Sequence, residues 1–201
     1  MTRIALEDLD RIYAQPKPRT KAKVIDHIDR HAARFIELSP FCILASAGAD
    51  GRVDASPRGG APGFVRILDP KRLLMPDRPG NNLLDSLRNI LSGTGEVGML
   101  FMIPGVDDAL RLNGRATLSE NPALLESLVE FGKPPRTAIE IAVHEVYLHC
   151  PKAIMRARLW DPAAQVEREV LPSLGEMIRD QTGMGEAEPH ATAVERFKET
   201  L

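Results

Sequence analysis

Apolar positions recur along this chain at two periods, and the change of period divides it. Leu6, Leu9, Ile12 and Tyr13 fall at helical spacing until Pro16 and Pro18 interrupt them. A second helix fits Thr20 to about Phe35, with Val24, Ile25, Ile28 and Ala32 on one face, and Pro40 closes this region. Beyond Pro40 the pattern is that of strands. Phe41-Cys-Ile-Leu-Ala-Ser46 is a short apolar run closed by Gly48-Ala-Asp-Gly51, and Asp-Gly between extended runs signals a hairpin. Val53-Asp-Ala-Ser56 returns before Pro57-Arg-Gly-Gly-Ala-Pro-Gly63 interrupts, and Phe64–Leu68 with Arg72–Met75 reads as a hairpin about Asp69-Pro-Lys71. A helix over about Asn82–Leu91 carries Leu83, Leu84, Leu87, Ile90 and Leu91 as its apolar stripe and stops at Gly93 and Gly95. Val97–Ile103 and Leu110–Leu118 pair across Pro104–Asp108, Asn121-Pro122 opens a short helix, and Thr137–Tyr147 is the last long strand. Pro151–Trp160 reads as helical, followed by the amphipathic pieces Leu171–Ile178 and Ala193–Phe197.

Six short strands in hairpin order, with helices at the ends and between and no regular βαβ alternation, predict a mainly β or α+β fold. The expected organisation is an N-terminal helical extension (1–40), a β-rich unit (41–160) and an acidic helical C-terminal tail (161–201). Composition is that of an ordinary globular domain, 43% hydrophobic and 27% charged. The longest apolar run, Val97–Ile103, is far short of the roughly 20 residues a membrane helix needs. Acids near the N-terminus disfavour a signal peptide, and Cys42 and Cys150 are too few for a disulfide framework. A cytoplasmic protein without membrane attachment is expected.

A net charge of −2 gives no general attraction to nucleic acid. Its distribution says more. From Arg52 to Arg88 seven basic residues face four acids, whereas from Asp161 onward four basic residues face nine acids. A local basic zone in a neutral chain suits a compact anion.

Gly93-Thr-Gly-Glu-Val-Gly98 matches the dinucleotide-binding string, but a helix precedes it and a strand follows, the reverse of what that mechanism needs. It reads as a helix stop and turn. His144, His149 and Cys150 invite a metal, yet strand alternation puts His144 and His149 on opposite faces, so no metal is expected. Cys42, within an apolar run, reads as packing. Two other elements suit a phosphate. Ser56-Pro-Arg-Gly-Gly60 places a cation beside glycines that let backbone amides approach closely, and Pro76-Asp-Arg-Pro-Gly-Asn-Asn82 leads into a helix start that Asn81 or Asn82 could cap.

Asp54-Ala-Ser-Pro-Arg-Gly-Gly-Ala-Pro-Gly-Phe-Val65, Pro76–Asn82 with Asp85-Ser-Leu-Arg-Asn-Ile-Leu91, Leu110-Arg-Leu-Asn-Gly-Arg-Ala116, and Tyr147-Leu-His-Cys-Pro-Lys-Ala153 with Leu159-Trp160 together resemble the pyridoxamine 5′-phosphate oxidase-like, FMN-binding split-barrel superfamily. Within it, the chain is similar to small bacterial proteins described as FMN-dependent enzymes of unsettled substrate. The resemblance spans roughly residues 20–162. It implies a six-stranded antiparallel split β-barrel with flanking helices that forms a homodimer, with FMN in clefts at the subunit interface. It places Ser56, Pro57, Arg58 and Gly59 along flavin and phosphate, Met75, Pro76 and Asp77 beside them, and Arg78, Asn81 and Asn82 near the phosphate. Arg111 would reach across the dimer, Lys152 and Trp160 would close the cleft, and Arg111 or Lys152 would supply charge at the ring's N1–C2 edge. The implied activity is an FMN-dependent oxidoreductase acting on a small molecule. The oxidase's basic phosphate strand and its C-terminal tryptophan–arginine segment are absent here, which argues against vitamin B6 oxidation. A non-catalytic flavin carrier or sensor, a binder of haem (through His144 or His149) or of the deazaflavin F420, and a ligand-free structural dimer are the alternatives.

Overall fold

The computed structural model describes residues 3–130 and 132–199; Phe131 and the outermost residues of the two flanking segments, Met1, Thr2, Thr200 and Leu201, lie outside the described residues. Seven antiparallel strands form one sheet: β1 (Phe41–Ala47), β2 (Val53–Gly59), β3 (Arg66–Asp69), β4 (Arg72–Asp77), β5 (Glu96–Met102), β6 (Ala109–Ser119) and β7 (Thr137–His149). Their order is β2-β1-β5-β6-β7-β4-β3. This corrects the expectation of six strands in a barrel: there are seven, and the two edges, β2 and β3, share no ladder, so the barrel is not closed. β2 runs on through Pro57 to Gly59 because an edge strand has one side free of ladder bonds, where proline removes nothing.

Period-two alternation builds the core. Cys42 and Leu44 on β1, Met99 and Phe101 on β5, Leu110 and Leu112 on β6, and Leu73 and Met75 on β4 are buried on one face of the sheet. The register carries single rows across it: Leu44 lies opposite Met99, Met99 opposite Leu112, and Leu112 opposite Val146. The row shifts at one place. Asn113 faces Glu145 but Gly114 faces Val143, which leaves His144 as the extra residue of a bulge. Glycine is needed here, since a Cβ at Gly114 would run into the carbonyl oxygen of Ala142. The bulge also breaks the alternation expected to separate His144 from His149, and His144 turns to Glu96 at 3.4 Å.

The helix expected over Thr20–Phe35 is two elements. α1 (Leu9–Ile12) follows a 3₁₀ turn, α2 spans Pro18–Ala22 and α3 spans Arg30–Leu38. Between the last two, Ile25 exchanges backbone hydrogen bonds of 3.0 and 2.7 Å with Val146, which takes that residue out of any helix. α3 then starts afresh on Asp29, whose carboxylate accepts from the amides of His31 and Ala32. Ile28, Ala32 and Ile36, spaced by four, cover the core.

α4 (Asp85–Ser92) buries Leu87 and Ile90 but leaves Leu83, Leu84 and Leu91 exposed, a narrower stripe than expected. Gly93 ends it and Gly95, at φ 77°, turns the chain into β5, so the glycine string is a turn. α5 (Pro122–Ser127) is capped by Asn121, and α6 (Lys152–Ala157), α7 (Leu174–Thr182) and α8 (His190–Lys198) follow β7. No described helix is long and apolar enough to cross a membrane.

Leu44 is fully buried, so Leu44→Ala should destabilise the fold by about 2–5 kcal/mol in urea denaturation. Leu91→Ala, at a side chain 72% exposed, should stay within about 0.5 kcal/mol of the parent.

Candidate functional site

Along β2 the alternation turns Asp54, Ser56 and Arg58 inward and leaves Pro57 and Gly59 outside. On β4 the inward row of Leu73 and Met75 continues to Asp77. These two rows meet across the unclosed side of the sheet. Arg58 Nη1 donates to Asp77 Oδ1 at 2.7 Å, with the two side chains only 17% and 12% exposed. The ion pair spans two strands that share no ladder. Arg58 Nε is buried and has no acceptor. Cys42 lies opposite Arg58 in the register, and burial pushes its thiol up to about 12 despite the opposing pull of the arginine charge.

The linker from β4 to α4 behaves differently from the sequence expectation. Arg78 points to the segment 128–133, donating to the carbonyls of Leu128 (2.7 Å) and Lys133 (3.0 Å) and to Glu130 Oε2 (3.2 Å). The other carboxylate oxygen of Glu130 accepts the amide of Ala61 at 2.5 Å. Arg78 and Glu130 therefore lash that segment to the turn that follows β2. Asn81 closes a local turn by accepting the amide of Leu83 at 3.0 Å, and Asn82 and Leu84 take positive φ values of 57° and 61°. α4 begins only at Asp85, and neither asparagine caps it. Its first turn is held against β2 instead, by Ser86 Oγ donating to Asp54 at 2.8 Å. Met75 and Pro76 are buried.

The remaining residues lie elsewhere. On the opposite face of the sheet the register lines up Pro57, Ile43, Leu100, Arg111 and Tyr147. The guanidinium of Arg111 stands 5.1 Å from the Tyr147 ring centre and makes no ion pair among the described residues. Lys23 approaches the same ring at 5.5 Å. Lys152 is exposed at the start of α6, and Trp160 Nε1 donates to the carbonyl of Val106, between β5 and β6, at 2.9 Å. The structure thus brings Ser56, Arg58 and Asp77 together at the split and strings Arg78, Asn81 and Asn82 along the linker. It puts Pro57 and Arg111 on the other face, and Lys152 and Trp160 beyond β7. Glu130 and Lys23 were unmarked in the sequence, because their partners are distant in the chain. Among the described residues no three His, Cys, Asp or Glu side chains gather as a metal site.

A strand-edge arginine with a spare donor, next to a Gly-Gly turn and a linker into a helix, is the arrangement of the motifs quoted above. The family model for pyridoxamine 5′-phosphate oxidase matches residues 28–150. The chain belongs to the pyridoxamine 5′-phosphate oxidase family. Among curated proteins none matches it. Its fold is similar to HupZ of Group A Streptococcus (17% identity, 59% of this chain and 91% of that chain, TM-score 0.48). It is also similar to an FMN-binding protein of Syntrophomonas wolfei (10% identity, 59% and 84%, TM-score 0.45) and to HutZ, the heme storage protein of Vibrio cholerae (13% identity, 61% and 93%, TM-score 0.44).

Two outcomes test this geometry. Arg58→Ala leaves Asp77 nearly buried without its counter-charge and should cost about 3–5 kcal/mol in urea denaturation, most of it recovered by pairing Arg58→Met with Asp77→Leu. At pH 8 a thiol reagent should label exposed Cys150 and not Cys42. The raised thiol of Cys42 contributes stability in full below its unfolded value of 9.0, and that contribution is lost as the pH climbs through about 12.

Proposed function

We propose that this chain is an FMN-binding flavoprotein that works as a homodimer and catalyses an oxidoreductase reaction on a small molecule. The observation that carries this reading is Arg58: a largely buried guanidinium at the split between β2 and β4, fixed by Asp77 on one nitrogen and with Nε lacking any acceptor. The phosphate and carbonyl oxygens of FMN suit such a fork. The donor set therefore fits the cofactor, and membership of the family supports it.

In this reading Ser56, Arg58 and Gly59 hold the phosphate end together with Asn81 and Asn82. Arg78, committed to the segment 128–133, anchors the linker that carries the two asparagines. Met75, Pro76 and Asp77 shape the wall, while Pro57 lies on the face turned away from Arg58. Arg111 faces away from Arg58 within one chain, and this favours a dimer. On the face of Arg111, Val53, Ala55, Pro57 and Ala45 are exposed and Phe41, Ile43, Leu100 and Met102 half-buried. An open apolar sheet face suits a second copy by two-fold symmetry, and Arg111 of one protomer then approaches a ligand held at Arg58 of the other. Bound FMN supplies reversible hydride acceptance. The chain orients it and excludes water, with Trp160 over the cleft and Arg111 or Lys152 placing positive charge beside the ring.

The test is the absorption spectrum of the purified protein with identification of the chromophore released on denaturation. Flavin bands and released FMN are expected; haem or a deazaflavin in its place, or a colourless protein indifferent to added FMN, overturns the reading. Arg58→Ala and Arg111→Ala should each weaken FMN binding by about 1.5–3 kcal/mol in fluorescence titration, the usual worth of a hydrogen bond to a charged group. Since Arg111 has no ion pair to lose, its variant separates binding from stability. A flavin-bound monomer in analytical ultracentrifugation removes the shared cleft.

A further inference from the structure

Two oppositely charged segments flank the sheet in the sequence. Ile25 pairs with Val146 and Lys23 donates to the carbonyl of Leu148 at 2.8 Å, which pins the N-terminal segment beside the end of β7. β7 ends at His149, and the acidic tail begins beyond α6, at Asp161. From Arg11 to Lys23 there are five basic residues and no acid, against nine acids and four basic residues from Asp161 onward.

Among the described residues the N-terminal segment is left uncovered. From Arg3 to Val24 every residue except Asp8 is exposed, and Leu6, Leu9, Ile12 and Tyr13 keep their helical stripe in water. Lys17, Arg19 and Lys21 make no ion pair among the described residues. The tail is the converse. α7 and α8 fold on each other, with Ala193 buried, Ser173 capping α7 and Arg196 bound to Glu188 at 2.8 Å. At their N-terminal ends lies a groove of about 390 Å³ whose walls include Glu169, Glu176 and Glu188 together with Leu171, Arg168 and His190. Leu171, Leu174 and Ile178 stay exposed, and Glu167, Glu169 and Glu186 make no ion pair among the described residues.

We infer that the basic N-terminal segment of one copy docks on the acidic α7–α8 hairpin of a second copy. A chain that carries both complementary charges is complementary to itself under a two-fold axis, where each segment meets the other's counterpart and the contact closes. The chain's own tail leaves the segment bare, so the occupant is the second copy. Apolar stripes on both partners add area to the charge attraction, which alone is weak for exposed pairs. The inference does not depend on the flavin reading.

The experiment is zero-length carbodiimide cross-linking of an equal mixture of natural-abundance and ¹⁵N-labelled full-length protein, read by mass spectrometry. Mixed-isotope links from Lys17 or Lys21 to Glu167, Glu169 or Glu186 are expected, and they should fade between about 50 mM and about 500 mM salt as screening rises. Arg19→Glu, which keeps both reacting lysines, should lower these links several-fold, and unchanged links overturn the inference. Links only between chains of the same isotope, or none, overturn the inference. The flavin spectrum of the same samples reports separately on the cofactor, since none of these residues belongs to its site.

Discussion

An ion pair holds the two halves of this sheet in their working relation. β2 and β4 share no hydrogen-bond ladder, and Arg58 and Asp77 join them at 2.7 Å where a closed barrel would have backbone bonds. A side-chain bridge differs in kind from a ladder. Two charges nearly removed from water attract strongly but lose much of that to desolvation, so the bridge specifies geometry more than it adds stability. It also leaves donors over: a ladder satisfies every group it joins, while the guanidinium keeps a buried Nε with no acceptor. The incomplete closure and the candidate site are therefore one feature.

The rest of the molecule serves that gap. Rows of Leu and Met from β1, β5, β6 and β4 fill the inner face, and α3 and α4 seal it, so the inner face is spent on the core except at its margin. There Asp54, Ser56 and Arg58 put polar groups in positions that on other strands carry Leu or Phe. Asp54 holds α4 through Ser86, and Glu130 with Arg78 holds the turn after β2. Both ends of β2 are thus tied by polar contacts from distant segments. On the opposite face Ile43, Leu100 and Met102 stay half-buried.

Much of this was legible in residue order. Alternation located the strands, Asp-Gly marked the first hairpin, and the glycine string was read as a turn because the elements around it come in the wrong order. Arg58 and its Gly-Gly neighbour stood out locally. What failed was decided by partners far along the chain. Thr20–Phe35 has helical spacing, but Val146 captures Ile25 and Asp29 restarts the helix. Arg78 looked like Arg58 in composition, and only Leu128, Glu130 and Lys133 reveal that it is a clamp. Asn81 and Asn82 looked like caps, yet a left-handed Leu84 stands at the cap position with no side-chain hydrogen bond, a conformation residue type does not announce.

Arg58 bridges β2 to Asp77, and in the flavin reading proposed above it would also hold an anion, two roles that are compatible. An oxygen that accepts from Nε leaves Nη1 on Asp77, so a bound anion need not break the bridge to gain the arginine. It shares a charge that closure has already desolvated, and this lowers what binding must spend on ordering the side chain. Closure prepares the site, and a ligand that binds only the closed form shifts the balance further toward closure. A lysine could neither fork toward both acceptors nor keep one contact while making the other.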